Sequence, residues 1–139
     1  MATTTTINVI FPWTAKYSVG IPQIDAQHKG LIGLINGLHA AMAAGQGKRV
    51  VGKILDDLVR YTEIHFRDEE NLMRQKGYSK LVAHQEVHKK LTGQVVELRE
   101  RYLAGNLTLT VEVMLFLKSW LADHIMGHDR QYAAELKTT

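Results

Sequence analysis

The sequence contains no cysteine. Disulfides, thiolate metal sites and iron–sulfur clusters are therefore excluded, and any metal must be held by nitrogen and oxygen. Proline is nearly absent as well: Pro12 and Pro22 both precede residue 23, which leaves the remainder free to be helical. No apolar run approaches the roughly 18 residues of a membrane span. The stretch Met1 to Pro12 has no basic residue, unlike a secretion signal, so the expectation is a cytoplasmic protein. Strong charge of one sign is also missing. The net charge is +3, its basic residues are scattered along helix faces, and no nucleic-acid partner is expected.

What is present is a core and a helical rhythm. Hydrophobic residues make up 45% of 139 residues, enough to build one domain. Residues 1–20 read as an extended N-terminal arm, with Met1 to Thr6 as its tail and Trp13 and Tyr17 lying against the helical body. From Pro22, well placed in a helix first turn, Ile24, His28, Leu31, Ile35, Leu38 and Met42 recur at three- and four-residue steps until Gly45-Gln46-Gly47. Gly30, Gly33 and Gly37 cost this helix propensity, so close packing against a neighbour is their expected use.

A second helix is expected from Lys48 to Lys76, with Ile54, Leu58, Tyr61, His65, Glu69 and Leu72 or Met73 inward and Gly77 as its stop. A third, Ser79 to Ala104, carries Leu81, His84, His88, Leu91, Val95, Leu98 and Tyr102. Thr110 caps a fourth that carries Met114, Leu117, Trp120 or Leu121, and His124, and reaches Ala134. Short connections between such helices predict an all-α, antiparallel up-down-up-down four-helix bundle over residues 21–136, within a single domain spanning 1–139.

The histidines stand out against this background. His65 and Glu69, and again His84 and His88, lie four residues apart, a turn of about 400°, so each pair shares a helix face. His28 falls early in the first helix and His65 late in the second, His84 early in the third and His124 late in the fourth. An antiparallel bundle therefore brings all of them to one depth. A single HxxxE or HxxxH is a weak signal. An unpaired imidazole on an inward stripe, however, costs roughly 1 to 3 kcal/mol, and five such rings with carboxylates are best satisfied by metal. Imidazole suits iron, copper, zinc and nickel; so many donors exceed one tetrahedral zinc, and two metals sharing the carboxylates is the economical solution.

The fourth helix poses a question of its own. Asp129 lies five residues after His124, a turn of about 500° that leaves the two about 140° apart in a regular helix. Either a π-type widening near Gly127 brings Asp129 inward, or His128 takes its place. His39, about 16 Å beyond His28 along the helix, is too far to join and is expected in the core or at the bundle end. Asp25 reads as an exposed carboxylate in a helix first turn.

Taken in order, His28, His65-x-x-x-Glu69, His84-x-x-x-His88 and His124-x-x-x-x-Asp129 resemble the hemerythrin family in its bacterial single-domain form. The likeness covers nearly the whole chain and extends to Trp13 and to Gly20-Ile21-Pro22-Gln23-Ile24-Asp25-Ala26-Gln27-His28-Lys29. It implies an oxo- or hydroxo-bridged pair of iron ions that binds O2 reversibly, for storage or for delivery to an oxygen-consuming enzyme. By that resemblance His84, His88 and His124 hold one iron, His28 and His65 the other, and Glu69 and Asp129 bridge both, leaving His128 to solvent. The family places bulky apolar residues where Phe66, Trp120, Leu121 and Ile125 stand, and these are expected to wall the O2 pocket. Met114 could line an access route and Tyr61, one turn before His65, could donate a hydrogen bond near the centre, or each could simply fill the core.

The expected role is O2 binding without chemical conversion, by a monomer with no catalytic residues. A di-iron oxidase or peroxidase, or an O2 or redox sensor, is the alternative. Oxidative centres of the ferritin type use mostly carboxylates, whereas this one has five histidines.

Overall fold

The computed structural model describes residues 9–137. Four helical rods form a bundle: α1 (Pro22–Ala43), α2 (Lys48–Lys76), α3 (Leu81–Leu103), and a last rod made of α4 (Val111–His124), a π-helical turn (Ile125–Asp129) and α5 (Arg130–Lys137). No strand occurs among the described residues. The predicted ends hold to within three residues, and they do so for local reasons. Pro22 opens α1 at a position where its missing N–H costs nothing. Gly77 takes a left-handed conformation, φ 71°, and the Tyr78 N–H then reaches back to the Met73 carbonyl at 2.9 Å, closing α2. Thr110 caps α4 through its hydroxyl, which accepts from the Val113 N–H at 3.3 Å.

The inward stripes build one core. Leu31, Ile35, Leu38, Leu55, Leu58, Val95, Met114 and Leu117 are all buried within it. Tyr61 is only half-buried: its ring lies across Gly30, where an added Cβ would stand 2.2 Å from the phenol oxygen. So Gly30 serves the close packing of α1 on α2. Gly33 and Gly37 do not, because a Cβ at either would meet nothing within 4 Å; that part of the expectation fails.

The arm is only partly extended. Ala15–Tyr17 form a 3-10 turn, Phe11 and Tyr17 are buried, and Phe11 exchanges two hydrogen bonds with Asn36 of α1 at 2.9 Å each. Asp25 does more than stand in a first turn, since it accepts from the Ser18 hydroxyl at 2.5 Å and the Val19 N–H at 2.8 Å, tying the arm to α1. Met1 to Thr6 lies outside the described residues.

Helices α1 and α2, and α2 and α3, pack closely, whereas α3 and α4 lie farther apart. Since His28 and His84 sit early in their helices and His65 and His124 late in theirs, the rods bring all four to the same level.

Candidate metal centre

Each rod delivers its histidines to that level, and the last one does so through a local defect. Ile125–Asp129 widen into a π turn, which adds a residue to the turn and rotates Asp129 back toward the His124 side. Asp129 becomes fully buried and His128 stays exposed. Of the two, the turn places Asp129 and not His128 among the other candidate donors.

The seven predicted side chains converge. His28, His65, Glu69, His84, His88, His124 and Asp129 are all at most 3% exposed. Glu69 Oε1 lies 3.3 Å from His65 Nε2 and 3.2 Å from His88 Nε2. Asp129 Oδ1 lies 3.2 Å from His84 Nε2 and 3.0 Å from His124 Nε2, while Oδ2 lies 2.9 Å from His28 Nε2. The donors sort into two overlapping sets, each within 4.8 Å: Glu69, His84, His88, His124 and Asp129, and His28, His65, Glu69 and Asp129. The two carboxylates belong to both.

Several of these atoms have nothing else to bind. Glu69 Oε1, both Asp129 oxygens and the Nε2 atoms of His28, His65 and His84 are buried without a well-formed hydrogen bond. Orphaned donors in an apolar core are costly, and here they all face one point. Nitrogen and oxygen donors in this number fit a pair of divalent cations, iron among them.

Electrostatics tells the same story. Burial pushes Glu69 up, as does Asp129, but the imidazoles of His65, His28 and His88 that surround it outweigh them and bring it to about 2. Burial also opposes ionisation of Asp129, but the imidazoles of His124, His28 and His84 close around it and hold it well below the carboxylate range. Both therefore remain anionic in a dry interior and demand a positive partner. Without metal a proton supplies it: burial alone would lower His28, yet Asp129 and Glu69 raise it to about 9. His65, where burial dominates, falls to about 4 and stays neutral.

Three residues behind the donors were not foreseen. Tyr132, buried, donates its hydroxyl to Glu69 Oε2 at 2.8 Å; burial above all, with Glu69 and Asp129, raises its phenol, so it remains a donor. Gln27 Oε1 lies 2.6 Å from His65 Nδ1 and the same amide donates to Asp68 at 2.9 Å. Glu70 lies 2.8 Å from His88 Nδ1. Such partners fix which imidazole nitrogen faces inward. The signal was available, since Tyr132 follows Asp129 by one turn, Gln27 adjoins His28 and Glu70 adjoins Glu69.

The predicted pocket residues are buried around the donors. Phe66 stacks on His88, ring centres 3.8 Å apart and 3° from parallel, and meets His124 edge-on at 5.5 Å. Leu121 and Ile125 are in the core, and Trp120 donates its indole N–H to the Leu91 carbonyl at 3.2 Å. Met114 is a core residue, fully buried. Tyr61, on Gly30, lines a surface recess with Leu34 and Ile64. His39 takes no part in either donor set.

Comparison with known proteins gives one answer. Residues 19–136 match the family model described as the hemerythrin HHE cation binding domain. A bacteriohemerythrin of Stenotrophomonas maltophilia (strain R551-3) is 38% identical over 125 residues, covering 90% of this chain and 80% of that protein. One from Methylococcus capsulatus is 34% identical over 124 residues, covering 88% and 94%. A crystal structure of wild-type hemerythrin superposes with a TM-score of 0.84 at 34% identity, covering 91% of this chain and 98% of the other.

Proposed function

The chain belongs to the hemerythrin family, and from that premise we propose that it holds two iron ions and binds O2 reversibly, storing it or delivering it to an oxygen-consuming enzyme. The observation that carries this reading is the division of seven buried donors into a three-histidine and a two-histidine set that share Glu69 and Asp129. Bound there, a ferrous pair supplies two electrons that an O2 molecule can take up and return.

The chain's own residues set the terms. His84, His88 and His124 would hold one iron, His28 and His65 the other, and the two carboxylates would neutralise both. Tyr132 keeps Glu69 oriented, and Gln27 and Glu70 keep His65 and His88 oriented, so the donors need little rearrangement when they bind. The set with two histidines is the less filled, and an exogenous ligand would enter there. Phe66, Leu121, Ile125 and Trp120 wall the centre with apolar surface. They exclude water and loose protons, which favours release of O2 over conversion of it. Five neutral imidazoles donate less negative charge than a carboxylate-rich set and disfavour high-valent iron, which argues for a carrier over an oxidase.

Iron content tests the assignment. The native chain should retain two irons after gel filtration, and Asp129→Ala, which removes a shared donor, should retain fewer than two. A native chain with one iron or none, or an Asp129→Ala variant that still holds two, would contradict it.

A further inference from the structure

Two openings reach the buried donors, one on each side of α3. Between α3 and α4 lies a cavity of about 500 Å³ walled by Val87, Leu91, Phe116 and Trp120. Its inner end is His124, and Asp123 and His128 stand with Lys90 at its edge. Between α2 and α3 a recess of about 360 Å³ reaches His88 past Glu63, Arg67, Glu70 and Lys89.

Free donors rather than charge separate the two openings, since Glu63 and Glu70 offset Arg67 and Lys89 in one as Asp123 offsets Lys90 in the other. In the α2–α3 recess Glu70 is already engaged by His88 and Gln85, and His88, whose Nδ1 is taken by Glu70, is the one imidazole in its lining. In the α3–α4 cavity neither the Asp123 carboxylate nor the His128 side chain has an ion pair or hydrogen bond among the described residues. The His128 ring centre lies 5.6 Å from that of His124 and 6.0 Å from that of His84. A cation shared between two imidazoles, with metal–nitrogen bonds of about 2.1 Å, spans roughly 6.5 Å between ring centres. An ion could thus pass from His128 to the inner rings without losing its nitrogen ligand.

The inner end has an open donor of its own. His124 is 3% exposed, and its Nδ1 is buried with no hydrogen-bond partner among the described residues. Two direct hydrogen bonds join α3 and α4 among the described residues: the indole N–H of Trp120 on the Leu91 carbonyl and, at the inner end, His88 Nε2 with His124 Nε2 at 3.2 Å.

Resting on the di-iron reading, we propose that the α3–α4 cavity is the passage by which ferrous ion enters and leaves the centre, with His128 and Asp123 as its receiving ligands. Iron release gives the test. The reduced, iron-loaded chain is mixed with excess 2,2′-bipyridine and the ferrous chelate is followed by absorbance, then reloading is followed with ferrous ammonium sulfate.

Removing the receiving ligands in His128→Ala and Asp123→Asn should slow both processes by about tenfold, the range expected for outer ligands of a metal. Lys90→Gln, which removes the positive charge at the edge, should accelerate them, and Glu63→Gln in the other opening should change neither. Thermal unfolding of all four should match the native chain, since the residues are exposed or half-exposed. Unchanged rates in His128→Ala and Asp123→Asn, or equal slowing in Glu63→Gln, would overturn the passage while two irons per chain still upheld the centre. A native endpoint other than two irons would overturn the di-iron reading and the passage with it.

Discussion

Gln27 and Tyr132 each touch a donor side chain and neither faces the metal position. Gln27→Leu removes the acceptor from His65 Nδ1 and frees the ring to turn, while Gln27→Glu keeps an acceptor in place. Tyr132→Phe keeps the ring that fills the core and removes only the hydrogen bond to Glu69 Oε2. Loss of such a partner weakens metal binding by about 10- to 100-fold. Competition against a chelator of known affinity should show that weakening in Gln27→Leu and Tyr132→Phe and little of it in Gln27→Glu. The donors themselves were legible in the sequence because four-residue spacing on an inward helix face is geometry that any regular helix obeys. Tyr132 was harder to read, since its direction depends on a π turn that shifts the phase of everything after Gly127.

Among the elements, α1 meets the Tyr61 ring of α2 at Gly30. Gly30→Ala would set a Cβ 2.2 Å from the Tyr61 hydroxyl and 2.6 Å from its ring, so the half-buried ring must swing aside. That displacement offsets the roughly 1 kcal/mol of helix propensity that alanine gains over glycine. Chemical denaturation should show Gly30→Ala stabilising a Tyr61→Ala background by about 1 kcal/mol and the native chain by less, because the two positions are coupled. Helix ends were readable from Pro22, Gly77 and Thr110, each of which acts on its own few residues. The uses of Gly33 and Gly37 were not, since a helix wheel shows which face a glycine occupies and not what stands opposite. The looser α3–α4 seam was equally invisible, being a relation between two rods far apart in sequence.

For the whole molecule, folding and charge are coupled through the buried carboxylates. In the metal-free chain His28 is raised from 6.5 to about 9, so the stability it contributes is fully present below 6.5 and is lost as pH rises through about 9. His65 is lowered from 6.5 to about 4, so its contribution is present above 6.5 and is lost as pH falls through about 4. The metal-free chain should therefore unfold at lower temperature on either side of a maximum near pH 6.5. Iron replaces the proton on His28, and the alkaline decline should be much smaller in the loaded chain. Thermal unfolding from pH 5 to 9, with and without iron, checks both.

Reversible binding of O2 is the claim on which the functional account depends. The iron-loaded, reduced chain is brought to anaerobic conditions, its visible spectrum recorded, O2 admitted, and O2 then removed under vacuum. The account predicts a charge-transfer band that appears with O2, vanishes with its removal and returns over repeated cycles. A band that decays irreversibly as product accumulates, or no band from a chain holding two irons, would contradict it.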